Sequence, residues 1–230
     1  MTARSSLHRI VPAAAIMGGL LLAAGCASEG PRELSMVKAD GNRAMSLEQY
    51  DRAADFYSEW AERAPFNAEA QAALGRALLE LDRPASARER FEIARDLEPA
   101  NRAYTNLLAE AAFAAGDFLG LRGILEDEIA REPDAMAYMT AGDFAVRMGA
   151  TDDAERYYLA AAQADGGMSV TPQIVLADFY GSIGDRDEEF RRLRMATYID
   201  FDNAVVRSRL EGLGHVPGPS LAIRPEELDR

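Results

Sequence analysis

Cys26 is the single thiol of a 230-residue chain, and it closes an apolar run in the stretch GGLLLAAGCASEG, residues 18–30. A lone cysteine cannot form an intramolecular disulfide, and one thiolate cannot hold a tetrahedral metal site unaided. Its role must be sought in its surroundings. The other groups able to do chemistry are few. Past residue 25 there is one histidine, His215, in a segment with several prolines, so a Ser-His-Asp arrangement would require that residue to fold back onto the rest of the chain. No Gly-rich phosphate loop lies between a strand and a helix, and no His/Cys cluster has zinc spacing. The paired acids Asp152 with Asp153 and Glu188 with Glu189 fall at inter-helix turns and first helical turns, where carboxylates complement the positive end of the helix dipole. The sequence thus predicts no catalytic residues, no metal and no cofactor.

Composition narrows the partners. With 48% apolar and 27% charged residues the chain has globular composition and length for one ordinary domain with short extensions. Its formal charge of -13 becomes -15 without residues 1–25, which hold Arg4 and Arg9 and no acid. Such a chain is repelled by nucleic-acid phosphates and anionic headgroups, so nucleic acid is excluded as a primary partner. Lys38 is the only lysine among 25 basic residues, a bias that reflects a GC-rich genome rather than a mechanism.

The N-terminus has the layout of a secretory signal. Two arginines precede the uncharged run IVPAAAIMGGLLLAA, residues 10–24, whose 15 residues fall short of the ~20 that span a bilayer as a helix. The sequence LAAGC resembles the bacterial lipobox, with Ala23 at the third position before Cys26, where leucine is commonest. The resemblance implies a signal peptide over 1–25, an acylated Cys26 and a short linker over 26–33. Two or more acyl chains anchor stably, each buried methylene contributing about 0.8 kcal/mol. Ala27 rather than aspartate follows the cysteine, which in Gram-negative lipoproteins implies the outer membrane, periplasmic face, with membrane contact through the lipid alone.

Beyond the linker the chain is repetitive. Pro65, Pro99 and Pro133 lie 34 residues apart, each after a charged stretch of helical period, and Gly41, Gly75, Ala109, Gly142 and Ala177 form a ladder of small residues. A third ladder runs Ala53, Ala87, Leu121, Ala154 and Glu189. The pattern resembles the tetratricopeptide repeat over residues 34–203, in five units starting near Leu34, Ala68, Arg102, Ala135 and Val170. The resemblance implies an all-α superhelical solenoid of helical hairpins. In each, a small residue lets helix A approach helix B, a large residue (Tyr57, Phe91, Leu125, Tyr158, Leu193) fills the space between hairpins, and proline stops helix B. The sequence departs from that pattern at Trp60 and Glu128, where a small residue is usual, at Glu189, and at Gly166, Gly167 and Phe201, which stand in place of proline. Residues 204–214 read as one capping helix with a glycine stop, and 215–230 as an extended Pro-rich tail.

In this repeat the concave face is lined by helix A positions 5, 9 and 12, so the resemblance implies a partner-binding groove. It would be formed by Lys38, Asn42, Met45, Ala72, Arg76, Leu79, Asn106, Glu110, Phe113, Met139, Asp143, Val146, Ile174, Asp178 and Gly181. One acid per repeat in the last three units, beside Phe113, Met139 and Ile174, suits a partner segment with hydrophobic anchors and basic residues. Lys38 and Asn42 resemble the start of a carboxylate clamp, but Ala73, Ala103 and Leu107 stand where its other donors would be. Among repeat lipoproteins the chain looks most like the assembly lipoproteins of Flp/Tad-type and type IV pili, which implies partners such as a secretin or pilus assembly subunits. The alternatives are the repeat lipoprotein of the outer-membrane protein insertion machine and a periplasmic adaptor for cell-wall hydrolases. Every reading is of a non-enzymatic scaffold.

Overall fold

The computed structural model describes residues 32–229; the signal segment 1–25, Cys26 and most of the linker lie outside the described residues. From Leu34 onward the chain forms eleven α-helices, with no strand among the described residues. Ten of them pair into five hairpins: α1 (Leu34–Ser46) with α2 (Tyr50–Arg63), α3 (Ala68–Glu80) with α4 (Pro84–Leu97), and α5 (Arg102–Ala114) with α6 (Phe118–Arg131). The last two hairpins are α7 (Ala135–Arg147) with α8 (Thr151–Asp165) and α9 (Thr171–Ile183) with α10 (Arg186–Ile199), and α11 (Ala204–Gly212) follows them.

Local chemistry fixes these boundaries. Asn67, Asn101, Asp134 and Asn203 are N-caps whose side chains accept hydrogen bonds from the backbone N–H groups of Ala70, Ala103, Ala137 and Val206 at 2.9–3.2 Å. Pro65, Pro99 and Pro133 each stand two residues past the end of the preceding helix, where a missing N–H and a fixed φ do no harm. The first helix of every hairpin ends in a left-handed residue at the same register position: Glu48, Asp82, Gly116, Gly149 and Gly184, with φ between 55° and 83°. The residue after each donates back five positions, from Gln49 to Ala44, Arg83 to Leu78, Asp117 to Ala112, Ala150 to Ala145 and Asp185 to Tyr180. Those are Schellman closures, which satisfy helix-end carbonyls while turning the chain sharply.

Close packing of the two helices in a hairpin follows a size rule. A Cβ placed on Gly41, Gly75 or Gly142 would lie 2.4–2.5 Å from a ring carbon of Tyr57, Phe91 or Tyr158. Where the small residue is alanine instead, Ala109 or Ala177, the facing large residue is Leu125 or Leu193. Glycine therefore meets a ring and alanine meets a leucine, each pair sixteen residues apart. The pairs join hydrophobic clusters that pass from hairpin to hairpin, including Ala87, Phe91, Tyr104, Leu108 and Leu121 in the middle of the array.

Helix α6 contains an unneeded glycine. A Cβ at Gly123 would meet nothing within 4 Å. Gly123→Ala should raise stability by about 0.5–1 kcal/mol, read as a higher urea midpoint at unchanged slope.

The C-terminal end shows what the irregular residues do. Glu189, in place of a small residue, is buried, with Arg186 Nη1 at 2.5 Å and Arg209 Nη2 at 2.7 Å. Gly181 makes room for it, since a Cβ there would come within 3.0 Å of the Glu189 carboxyl carbon. Arg209 belongs to α11 and also pairs with Asp178, so Glu189 fastens the capping helix to the last hairpin. The expected extended tail is instead folded back onto that hairpin and includes two 3-10 turns, Pro219–Leu221 and Glu226–Asp229. Its Glu227 carboxylate takes hydrogen bonds from Arg192 Nη1 (3.1 Å) and Gln173 Nε2 (3.2 Å), with all three residues buried. Arg194 Nε donates to the Leu221 carbonyl at 2.7 Å, and His215 stacks on Phe190 with ring centroids 4.0 Å apart. The same Gln/Arg pair occurs in the second hairpin, where Arg90 donates to Gln71 and Gln71 donates to the Pro65 carbonyl. The fifth hairpin has left-handed Gly166 and Gly167 where that proline turn would be, and Glu227 takes the vacant acceptor position. Leu228 and Pro225 then lie against Gly167, where a Cβ would be 3.0 Å from Leu228 Cγ.

Candidate functional site

The first helices of the five hairpins lie side by side and carry the candidate groove residues. Burial removes one of them: Ala72 is buried in the core, in the cluster that also holds Tyr104 and Leu108 of α5. Leu79, Met45, Phe113 and Ile174 are half-buried, packed against hydrophobic clusters. Asn42, Arg76, Asn106, Asp143, Val146 and Asp178 are exposed, while Met139 and Gly181 are intermediate.

Charge along this face is organised differently from the simple ladder of acids that the sequence suggests. Glu110 is held by both terminal nitrogens of Arg147, at 2.6 and 2.8 Å, in a bidentate pair. That guanidinium also lies over the rings of Phe113 (4.1 Å) and Phe144 (4.7 Å), and its hydrogen bond with Glu110 raises its pKa. Phe113 in turn contacts Phe118 and Phe144, each with a centroid separation of 6.0 Å. Asp178 pairs with Arg209 of the capping helix. Asp143 accepts a 2.7 Å hydrogen bond from the Tyr158 hydroxyl, and burial together with that carboxylate pushes the tyrosine pKa well up, so the phenol stays a donor. Two of the three acids are thus neutralised within the chain and the third is hydrogen-bonded. Sequence spacing placed them on one face but could not reveal Arg147 and Arg209 as their partners, 37 and 31 residues away.

At the N-terminal end Lys38 Nζ lies 2.7 Å from Glu69 and 5.1 Å from the centre of the Trp60 ring. The Tyr57 hydroxyl donates to Asn42 Oδ1 at 2.8 Å. Asn42, Met45, Ser46, Tyr57, Trp60, Ala73 and Arg76 line a cleft of about 430 Å³ between the first two hairpins, together with Glu69, whose carboxylate Lys38 holds. Trp60, irregular by the standard of the repeat, is its aromatic wall. The sequence signal for this cleft was that departure from a small residue at Trp60.

Among the described residues no group of three or more His, Cys, Asp and Glu side chains could hold a metal ion. None of the described helices is long and apolar enough to cross a membrane. No family model matches the chain, and no curated protein is similar to it by sequence. Solved structures are similar in fold. PilW, a widely conserved type IV pilus biogenesis factor, superimposes with a TM-score of 0.54 at 15% identity, over 79% of this chain and 84% of that one. A MamA protein gives a TM-score of 0.53 at 19% identity over 81% of this chain and 98% of its own. A tetratricopeptide repeat protein from Parabacteroides merdae gives 0.52 at 13%, over 78% of this chain and 70% of that protein. The fold is a tetratricopeptide-repeat solenoid. In these terms α1, α3, α5, α7 and α9 are the A helices of five repeats, α2, α4, α6, α8 and α10 their B helices, and α11 the cap. The Glu110–Arg147 pair joins the third repeat to the fourth along the A-helix face, and Asp178–Arg209 joins the fifth repeat to the cap.

Proposed function

We propose that this protein is a lipid-anchored scaffold at the periplasmic face of the outer membrane, which holds protein partners on its A-helix face during assembly of a pilus or secretion apparatus. The observation that carries the reading is the A-helix face itself: exposed Asn42, Arg76 and Asn106 and half-exposed Met139 recur on the first helices of successive hairpins, a repeated face that suits an elongated partner. Packing of this kind supplies a preformed surface for a helix or extended segment. PilW, to which the chain is similar in fold, is itself a type IV pilus biogenesis factor, and that is the support for a pilus or secretion role. The lipobox-like LAAGC stretch supports the anchor. A pull-down from detergent-solubilised membranes tests the partner claim: a secretin or pilus assembly subunit should be recovered with the wild type, and recovery of insertion-machine or cell-wall hydrolase components alone would overturn it.

The anchor has its own test. Cys26→Ser should abolish incorporation of labelled fatty acid and move the protein from the membrane to the soluble fraction or leave it as precursor. Unchanged labelling and fractionation would show that Cys26 is not the acylated residue.

A further inference from the structure

We infer that the cleft between the first two repeats is a docking site for a peptide segment that sets an acidic side chain beside a bulky apolar one. The inference deepens the scaffold reading above and rests on it for the groove, while placing the docking site at the basic first two repeats and not at the ladder of acids in the last three. The A-helix face is nearly self-neutralised: Glu110 is paired with Arg147, Asp178 with Arg209, and Lys38 with Glu69, and Asp143 is hydrogen-bonded by Tyr158. Among the charges at the groove positions Arg76 alone has neither an ion pair nor a hydrogen bond among the described residues, and it is exposed. Two unpaired charges remain at the groove positions, Asp143 in the fourth repeat, hydrogen-bonded only by a neutral phenol, and Arg76 at the rim of the cleft, so the unpaired charge at the cleft itself is positive.

The rest of the cleft specifies what accompanies the carboxylate. Met45, Ala73 and the rings of Tyr57 and Trp60 form an apolar wall, and the Tyr57 hydroxyl is engaged by Asn42. A volume of about 430 Å³ lies within the range of sites that bury a small ligand. An acidic side chain on Arg76 alone would gain little, because an exposed ion pair is weak. An aliphatic or aromatic neighbour inserted against Trp60 excludes water from the same cleft, strengthens the ion pair through the lower local dielectric, and adds buried apolar area. The wider chain is strongly negative, with a formal charge of -13, so long-range electrostatics do not favour an acidic segment and its capture depends on local positive charge such as that at this rim. Selectivity for position along the groove follows.

Trp60 is the only tryptophan in the chain, so its emission reports occupancy of the cleft directly. The experiment uses the full-length Cys26→Ser protein and a positional-scanning library of N-acetylated, C-amidated hexapeptides, read by tryptophan fluorescence. Wild-type Arg76 should select Asp or Glu next to Leu, Ile, Phe or Met. The best single peptide should bind saturably, and at least tenfold more weakly when its acid is replaced by the amide. Arg76→Ala should lose that tenfold preference, and Arg76→Glu should select Lys or Arg instead, with helicity unchanged by circular dichroism. Selection that ignores charge, favours basic residues in the wild type, or is the same in Arg76→Glu overturns the inference. The titration involves neither membrane nor pilus components. Selection of acidic peptides with no assembly protein recovered from membranes would therefore count against the proposed system alone. Recovery of such a protein with equal yield from Arg76→Glu would count against the cleft alone.

Discussion

Gly75→Leu should lower the stability of the protein by about 3 kcal/mol, at the upper end of what overpacking a tight core contact costs. The first atom added at that position would already sit 2.5 Å from Phe91 Cε1 and 2.9 Å from Cδ1, and Phe91 is fully buried. Helices α3 and α4 would have to separate. Arg83→Ala, on the exposed turn of the same repeat, should change stability by no more than about 0.5 kcal/mol. A sharper form of the test uses the protein's own alternative pairing. Gly75→Ala with Phe91→Leu reproduces the combinations found as Ala109 with Leu125 and Ala177 with Leu193. The double variant should be more stable than the sum of its single changes predicts, by about 1 kcal/mol or more in a double-mutant cycle. Additive single effects would mean that size matching across each hairpin is not what sets the helix separation.

Glu227→Ala should cost about 3 kcal/mol, because the buried Arg192 guanidinium loses its 3.1 Å carboxylate and keeps only that of Glu188, at 4.0 Å. Both side chains are nearly inaccessible, at 5% for Arg192 and 6% for Glu227, and Gln173 Nε2 would lose its acceptor as well. The damage should be local, since each repeat contacts only its neighbours. Hydrogen exchange is expected to rise across α9, α10 and α11 and to stay unchanged in α3 and α4. Limited proteolysis should cut within residues 215–229 of the variant long before the wild type. Replacing both partners by apolar residues, Arg192→Met with Glu227→Leu, should be close to neutral, because no charge is then stranded. Equal exchange rates in the Glu227→Ala protein would mean that the tail adds nothing to the last repeat.

The sequence carried the fold through features that act locally or recur. A proline every 34 residues, an Asn or Asp opening three of the next helices, and a small residue facing a large one sixteen positions on all identify a helical-hairpin array, because each satisfies a steric or hydrogen-bonding need within one repeat. The left-handed turn position was partly legible: Gly116, Gly149 and Gly184 advertise it, Asp82 is of a type enriched there, and Glu48 adopts the same conformation with a side chain that gives no hint of it. What could not be read were pairings between distant segments. Nothing near Glu227 announces Arg192, and nothing near Glu110 announces Arg147, since an ion pair has no fixed spacing in sequence. The reading of the groove suffered most from this, because the meaning of a carboxylate depends on whether an arginine from the next repeat already holds it.

The fastening of α11 and the tail onto the fifth repeat also bears on how this array can lengthen in evolution. A duplicated hairpin inserted between existing repeats would find matching surfaces on both sides, because the middle repeats present similar alanine-rich faces to each other. One appended after Ile199 would have to displace α11, separate Arg209 from both Asp178 and Glu189, and evict Glu227 from its buried arginine. Growth by duplication is therefore permitted in the interior of the array and opposed at its C-terminal boundary, and homologues of different length should differ by whole hairpins upstream of the residue equivalent to Glu189.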